Sequence, residues 1–129
     1  MQRKKLPKLT DAEFEIMKII WENGEASISH VLEFINALKP SILKRTTIQV
    51  QMTRLEEKGW LTHRKEGRTF YYEATRGREV VSAEIAKDIS GRVFAGSYAE
   101  MVKSLFQNEK VSREEIKRIR KILKEYERG

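Results

Sequence analysis

The chain has no cysteine. That excludes disulfides, thiolate metal ligands and cysteine nucleophiles, and it suits a reducing, cytoplasmic setting. Histidine is scarce: His30 and His63 stand alone, and neither has carboxylate or cysteine partners at a spacing that reads as a metal site. No apolar run approaches the roughly 20 residues that cross a bilayer. The opening MQRKKLPKLT lacks the apolar stretch of a signal peptide. A glycine-rich phosphate loop and a Gly-x-Ser-x-Gly elbow are both missing. Glu56 and Glu57 are adjacent and diverge on a helix, which makes them a poor catalytic pair. The expectation is a non-enzyme with no cofactor and no bound metal. Two prolines and seven glycines are too widely spread for disorder or low complexity.

What the sequence does have is positive charge. Its 129 residues are 35% charged and 40% hydrophobic, with a net charge of +7. One ordinary domain or two very small ones fit that length. The balance favours a polyanionic partner, either nucleic acid or an anionic membrane face. The last apolar-periodic stretch, REEIKRIRKILKEYER, has a membrane-surface look, but its interspersed glutamates read as an ordinary solvated face.

Capping signals divide the chain. TDAE at Thr10 to Glu13 is a capping box, with Leu9 and Phe14 placed as a hydrophobic staple. Ala12, Ile16, Met17, Ile20 and Trp21 recur at helical spacing, which predicts a first helix from about Asp11 to Asn23, stopped by Gly24. ASI at 26–28 reads as a short strand. Ser29 is placed to cap a second helix bearing Val31, Leu32, Ile35 and Leu38 and ending before Pro40. TTIQ from Thr46 reads as another capping box. It opens a third helix with Ile48, Met52 and Leu55 inward and Gly59 at its end. WLTHRKE and TFYYEA then read as an antiparallel hairpin turning at EGR. Trp21 and Trp60 read as core, as does one of the adjacent Tyr71 and Tyr72, which face opposite ways on a strand.

The rest is helical. A helix from about Gly77 to Phe94 carries Val80, Val81, Ile85 and Ile89. A short one capped at Ser97 carries Tyr98, Met101, Val102, Leu105 and Phe106. A last one capped at Ser112 carries Ile116, Ile119, Leu123 and Tyr126. About 50 residues bury too little apolar surface alone. These stripes therefore either pack on the first domain or meet a second copy of themselves, and heptad-like stripes on separate elements favour an interlocked homodimer. The expected organisation is mainly α with a small β-hairpin: a DNA-binding domain over residues 1–76 and a three-helix dimerisation region over 77–129.

The third helix and the hairpin carry the chemistry. With Ile48, Met52 and Leu55 inward, Thr46, Val50, Thr53, Arg54 and Glu57 point outward, flanked by Thr47 and Gln49. An outward valine has little use in water. In a major groove it meets a thymine methyl, while glutamine pairs with adenine and arginine with guanine. Threonines at a helix N-terminus suit a phosphate. Lys44, Arg45, Arg64, Lys65 and Arg68 add cations at the helix entry and the hairpin, where a DNA backbone or minor groove would lie. Between Lys39 and Arg68 eight Lys/Arg face three Glu, a net +5, and RKKLPK adds four more positive charges. Helix, helix, helix and basic hairpin in that order are a winged helix-turn-helix. A protein–protein adaptor that uses the same winged helix on an acidic partner is the alternative; preference for one duplex over its scrambled version separates the two.

LTDAEFEIMKIIWENGEASISHVLEFIN, TTIQVQMTRLEEKGWLTHRKEGRTFYYEA and VSREEIKRIRKILKE resemble the penicillinase-repressor family, the BlaI/MecI/CopY type, over nearly the whole chain. The resemblance implies a homodimeric bacterial transcriptional repressor on a dyad-symmetric DNA operator, released when a membrane-bound sensor protease triggers its cleavage. Where beta-lactam-responsive members are cut at an Asn-Phe pair, this chain aligns Ser104-Leu105, with Phe106 next. The cysteine-rich metal ligands of the copper-responsive branch are absent.

Overall fold

The computed structural model describes residues 6–38, 43–108 and 110–128. Among these the order is α1 (Asp11–Asn23), α2 (Ile28–Leu38), α3 (Arg45–Glu57), β1 (Leu61–Glu66), β2 (Thr69–Ala74), α4 (Arg78–Val93), α5 (Tyr98–Asn108) and α6 (Arg113–Glu127). The chain is mostly helical, with one antiparallel hairpin, as the pattern predicts. It forms two compact units, residues 1–81 and 82–129.

Helix α1 begins where both halves of its capping box are made. Glu13 N–H donates to Thr10 Oγ1 at 3.2 Å, and Thr10 N–H donates to Glu13 Oε1 at 2.8 Å. Gly24, at φ 81°, ends it in a conformation that side chains with a Cβ disfavour. Its buried stripe is Ile16, Met17, Ile19 and Ile20. Ile19 completes that stripe, whereas Ala12, expected inward, is exposed because it lies on the solvent side of the first turn.

Two of the expected caps fall elsewhere. Ser27, not Ser29, caps α2: its Oγ accepts from His30 N–H at 3.2 Å, since the helix starts at Ile28. Ser29 is therefore inside the helix, where its hydroxyl accepts from Arg45. Helix α3 starts at Arg45 with Lys44 as its extended N-cap and no side-chain cap bond, so Thr46 lies within the first turn and TTIQ forms no capping box. The expected strand at ASI reduces to one bridge. Ala26 and Tyr72 exchange backbone hydrogen bonds of 3.0 and 2.9 Å, and Ser27 already belongs to the cap of α2. Leu38 ends α2 exposed; Pro40 and Lys39 lie outside the described residues, as do Arg3, Lys4 and Lys5.

The core of the first unit joins Ile16, Met17 and Ile20 of α1, Val31 and Ile35 of α2 and Ile48, Met52 and Leu55 of α3. Trp60, Leu61, Tyr72 and Val81 complete it. Each fully buried aliphatic side chain of this size contributes roughly 1.5–3 kcal/mol. Trp21 is half-buried against the same cluster. Both indoles are satisfied: Trp21 Nε1 donates to Arg76 O at 2.9 Å and Trp60 Nε1 to Pro7 O at 2.8 Å. Three inward residues on α3, four and three apart, fix which face of that helix stays outside.

Candidate nucleic-acid interface

The outward face of α3 is a continuous exposed surface on which polar side chains surround an apolar one. Thr46, Gln49, Val50, Thr53, Arg54 and Glu57 line one concavity. Val50 is 55% exposed in the middle of it. Thr47 is exposed but lies outside that lining. Lys44 is exposed at the N-cap, and Arg45 is tied to Ser29 of α2. The concavity thus offers hydroxyls, a carboxamide, a guanidinium, a carboxylate and a methyl-bearing side chain on one helical face, the set of groups that reads base edges in a major groove.

The far end of α3 is anchored by a buried ion pair that spacing alone does not reveal. Lys58, the C-cap residue, donates to both Glu13 oxygens at 2.8 and 2.9 Å. The Glu13 side chain is only 3% exposed. Burial by itself would raise the Glu13 carboxyl. The Lys58 ammonium, with the Thr10 amide, overrides burial and holds it below the usual carboxylate value. A cation here also complements the negative end of the α3 dipole. The segment before α1 lies across the same end: Leu6 faces Gly59, where an added Cβ would come within 3.1 Å of its Cδ2. Gly59, at φ 91°, turns the chain out of the helix.

The hairpin pairs Leu61 with Ala74, His63 with Tyr72 and Glu66 with Thr69, leaving Gly67 (φ 63°) and Arg68 as a two-residue turn. Its two faces differ. On one, the His63 ring lies 4.7 Å from Phe70 and 5.4 Å from Tyr72, with Lys65 over Phe70. Tyr72 is the buried tyrosine; burial, with the nearby Glu56 charge, pushes its phenol up. On the other, Arg64 stacks 4.9 Å over Tyr71. Arg64 also donates to Glu66 and, at 2.9 Å, to Glu25 in the α1–α2 loop, and these hydrogen bonds hold the guanidinium above its ordinary value. Arg64 and Lys65 therefore point to opposite sides of the wing, and Arg68 sits exposed at its tip. His63 has a carboxylate partner after all: Nδ1 lies 2.7 and 2.8 Å from the oxygens of Glu56, seven residues back on α3.

The second unit leaves its apolar stripes open. Tyr98 and Leu105 are each 59% exposed. Val102, Phe106 and Leu123 are exposed as well, and Met101, Ile116 and Ile119 are half-buried. No residue of α6 is buried. Ser104 turns its hydroxyl back onto the Met101 carbonyl at 2.7 Å.

The comparisons with known proteins fit this arrangement. The model of the family described as "Penicillinase repressor" matches residues 9–125. The chain is 33% identical to the penicillinase repressor of Bacillus licheniformis over 95% of this chain and 94% of that protein. It is 29% identical to the methicillin resistance regulatory protein MecI of Staphylococcus aureus (strain N315) over 90% and 93% of the two chains. Among solved structures it resembles the DNA-binding domain of the repressor BlaI, with a TM-score of 0.51 and 37% identity over 59% of this chain and 90% of that one. It also resembles monomeric B. licheniformis BlaI in complex with the blaP half-operator, with a TM-score of 0.50 and 36% identity over 60% and 92%. The first unit is thus a winged helix like that of BlaI, and the chain belongs to the penicillinase repressor family.

Proposed function

We propose that this chain is a sequence-specific DNA-binding transcriptional repressor, not an enzyme, that works in the cytoplasm as a homodimer on a dyad-symmetric operator. One observation carries the reading: the exposed face of α3 gathers Thr46, Gln49, Val50, Thr53 and Arg54 in a single concavity, with an exposed valine at its centre. A merely wet face has no use for that valine. In the major groove, Gln49 suits adenine, Arg54 guanine and Val50 a thymine methyl. Thr46, Thr47, Lys44 and Arg45 lie at the helix entry, where phosphates would be met. In this reading Lys65 and Arg68 meet the flanking backbone from one face and the tip of the wing, while Arg64, held by Glu25 and Glu66, adds its charge on the other face.

The second copy is the natural cover for the open stripes on α5 and α6. Tyr98, Met101, Val102, Leu105, Phe106, Ile116, Ile119 and Leu123 form the dimerisation surface in this proposal. Pairing through them sets two α3 helices on major-groove faces about 34–36 Å apart, or a multiple of that. Cleavage by a sensor protease around Ser104, Leu105 and Phe106 would cut that surface and release the operator. The bond lies inside α5, so the helix must open locally before it enters a protease.

Selection of duplexes from a pool with a randomised centre, followed by titration of the selected duplex and its scrambled version, tests the reading. The expected result is an inverted-repeat duplex bound by a dimer, at least about a thousandfold tighter than the scrambled one. Equal affinity for both would refute it.

A further inference from the structure

Helix α3 ends in two consecutive carboxylates, Glu56 and Glu57, next to the Glu13–Lys58 pair. Their circumstances differ. Lys58 is taken by Glu13. Glu56 faces His63 on the hairpin. Glu57 is exposed and forms no ion pair among the described residues; it lines the concavity with Thr53 and Arg54. That is an unfavourable place for a negative charge. It lies in the last turn, where the helix dipole already carries partial negative charge. It also faces outward on the surface that, in the reading above, approaches a polyanion.

A carboxylate has a use in a major groove that offsets these costs: it accepts a hydrogen bond from an exocyclic amine, and cytosine N4 suits it better than adenine N6, which stands beside the N7 acceptor. Glu57 is one turn beyond Thr53 and Arg54 along α3, so its oxygens reach the base pairs next to those contacted by Arg54. Resting on the repressor reading above, we infer that Glu57 determines specificity, accepting from a cytosine amine in the operator half-site and being repelled by the acceptor atoms (guanine O6 and N7, adenine N7, thymine O4) that any other base presents there. Arg54 and Glu57 then divide the work: the guanidinium adds affinity, and the carboxylate subtracts it from wrong sequences.

Two variants separate selection from simple repulsion. Glu57→Ala removes both the charge and the acceptor. Glu57→Gln removes the charge and keeps an acceptor oxygen. Glu57 is exposed in the folded chain, so neither change disturbs the core. The probes are the duplex selected by the wild-type protein, the set in which each half-site pair is replaced in turn, and the scrambled duplex. Both variants should bind the scrambled duplex severalfold tighter than wild type. Glu57→Ala should also lose roughly tenfold or more of the discrimination at one cytosine-containing pair, with the other positions unchanged, while Glu57→Gln, which offers an amine beside its acceptor oxygen, should move the preference at that same pair toward adenine. A uniform gain on every duplex would overturn the inference by leaving Glu57 a repulsive charge alone. No change on any duplex would overturn it by placing Glu57 away from the DNA. A wild-type protein that selects no duplex would instead overturn the repressor reading itself.

Discussion

Replacing Lys58 with methionine keeps the aliphatic stem and deletes the ammonium that meets both oxygens of Glu13. Glu13, 3% exposed in the folded chain, would keep only its contacts to Thr10. Removing one member of a fully buried pair costs about 3–5 kcal/mol. Lys58 retains 23% exposure and Thr10 stays bonded, so about 2–3 kcal/mol is expected at neutral pH. The pH dependence follows from the direction of the shift. In the wild type, Glu13 titrates below its unfolded value, so its stabilisation is present above the ordinary carboxylate range and fades as pH falls through the folded value. In Lys58→Met, burial dominates and the carboxyl rises, so protonation relieves the variant. The gap between the two proteins should therefore be widest near neutrality and close on acidification. Both tryptophans lie in the first unit, so indole fluorescence during urea unfolding reports that unit selectively. With a urea slope of about 1 kcal/mol/M for a unit of this size, the midpoint should drop by about 2–3 M at neutral pH. A gap that stays constant across the carboxylate range would refute the pairing, whatever its size.

Local signals carry most of the winged helix, and pairing across sequence distance carries what the sequence hides. The bounds of α1 follow from Thr10, Glu13 and Gly24, all within one helix length of each other. The inward stripe of α3 follows from Ile48, Met52 and Leu55, and that stripe alone settles which residues face out. Single-turn choices are less legible. SIS offers serines at 27 and 29, and only the path of the chain out of the Ala26–Tyr72 bridge decides that Ser27 caps. KRTT offers its first hydroxyl two residues after the cap position, because Lys44 already takes the extended cap conformation and α3 begins before the threonines. Charged residues are the least legible of all. Glu13 and Lys58 are 45 positions apart, Glu25 and Arg64 are 39, and neither member marks its partner in the sequence. Arg64 and Lys65 read as one basic patch, yet strand alternation sends them to opposite faces.

Four further outcomes are expected. Arg54→Ala should weaken binding of the selected duplex by roughly 1–3 kcal/mol and relax preference at one base pair, measured by competition against single-pair variants. Lys65→Ala and Arg68→Ala should weaken all duplexes alike, each flattening the log–log salt slope by roughly 1 for every phosphate it no longer neutralises. Met52→Ala, at a fully buried site, should cost about 2–5 kcal/mol in the indole-detected transition. A tandem Leu105→Asp and Phe106→Asp variant tests the dimer. Leu105 and Phe106 are 59% and 41% exposed in the single chain, so two carboxylates there are harmless to a monomer. In a dimer that buries them, each loses about 1.5–3 kcal/mol of apolar burial per subunit and leaves a charge to be desolvated. Sedimentation at micromolar concentration should therefore give a dimer for the wild type and a monomer near 15.2 kDa for the variant, with the indole-detected transition of the first unit unchanged. A monomeric wild type that still holds a full palindrome tightly would remove the dimer, and with it the release by cleavage in α5 that depends on it.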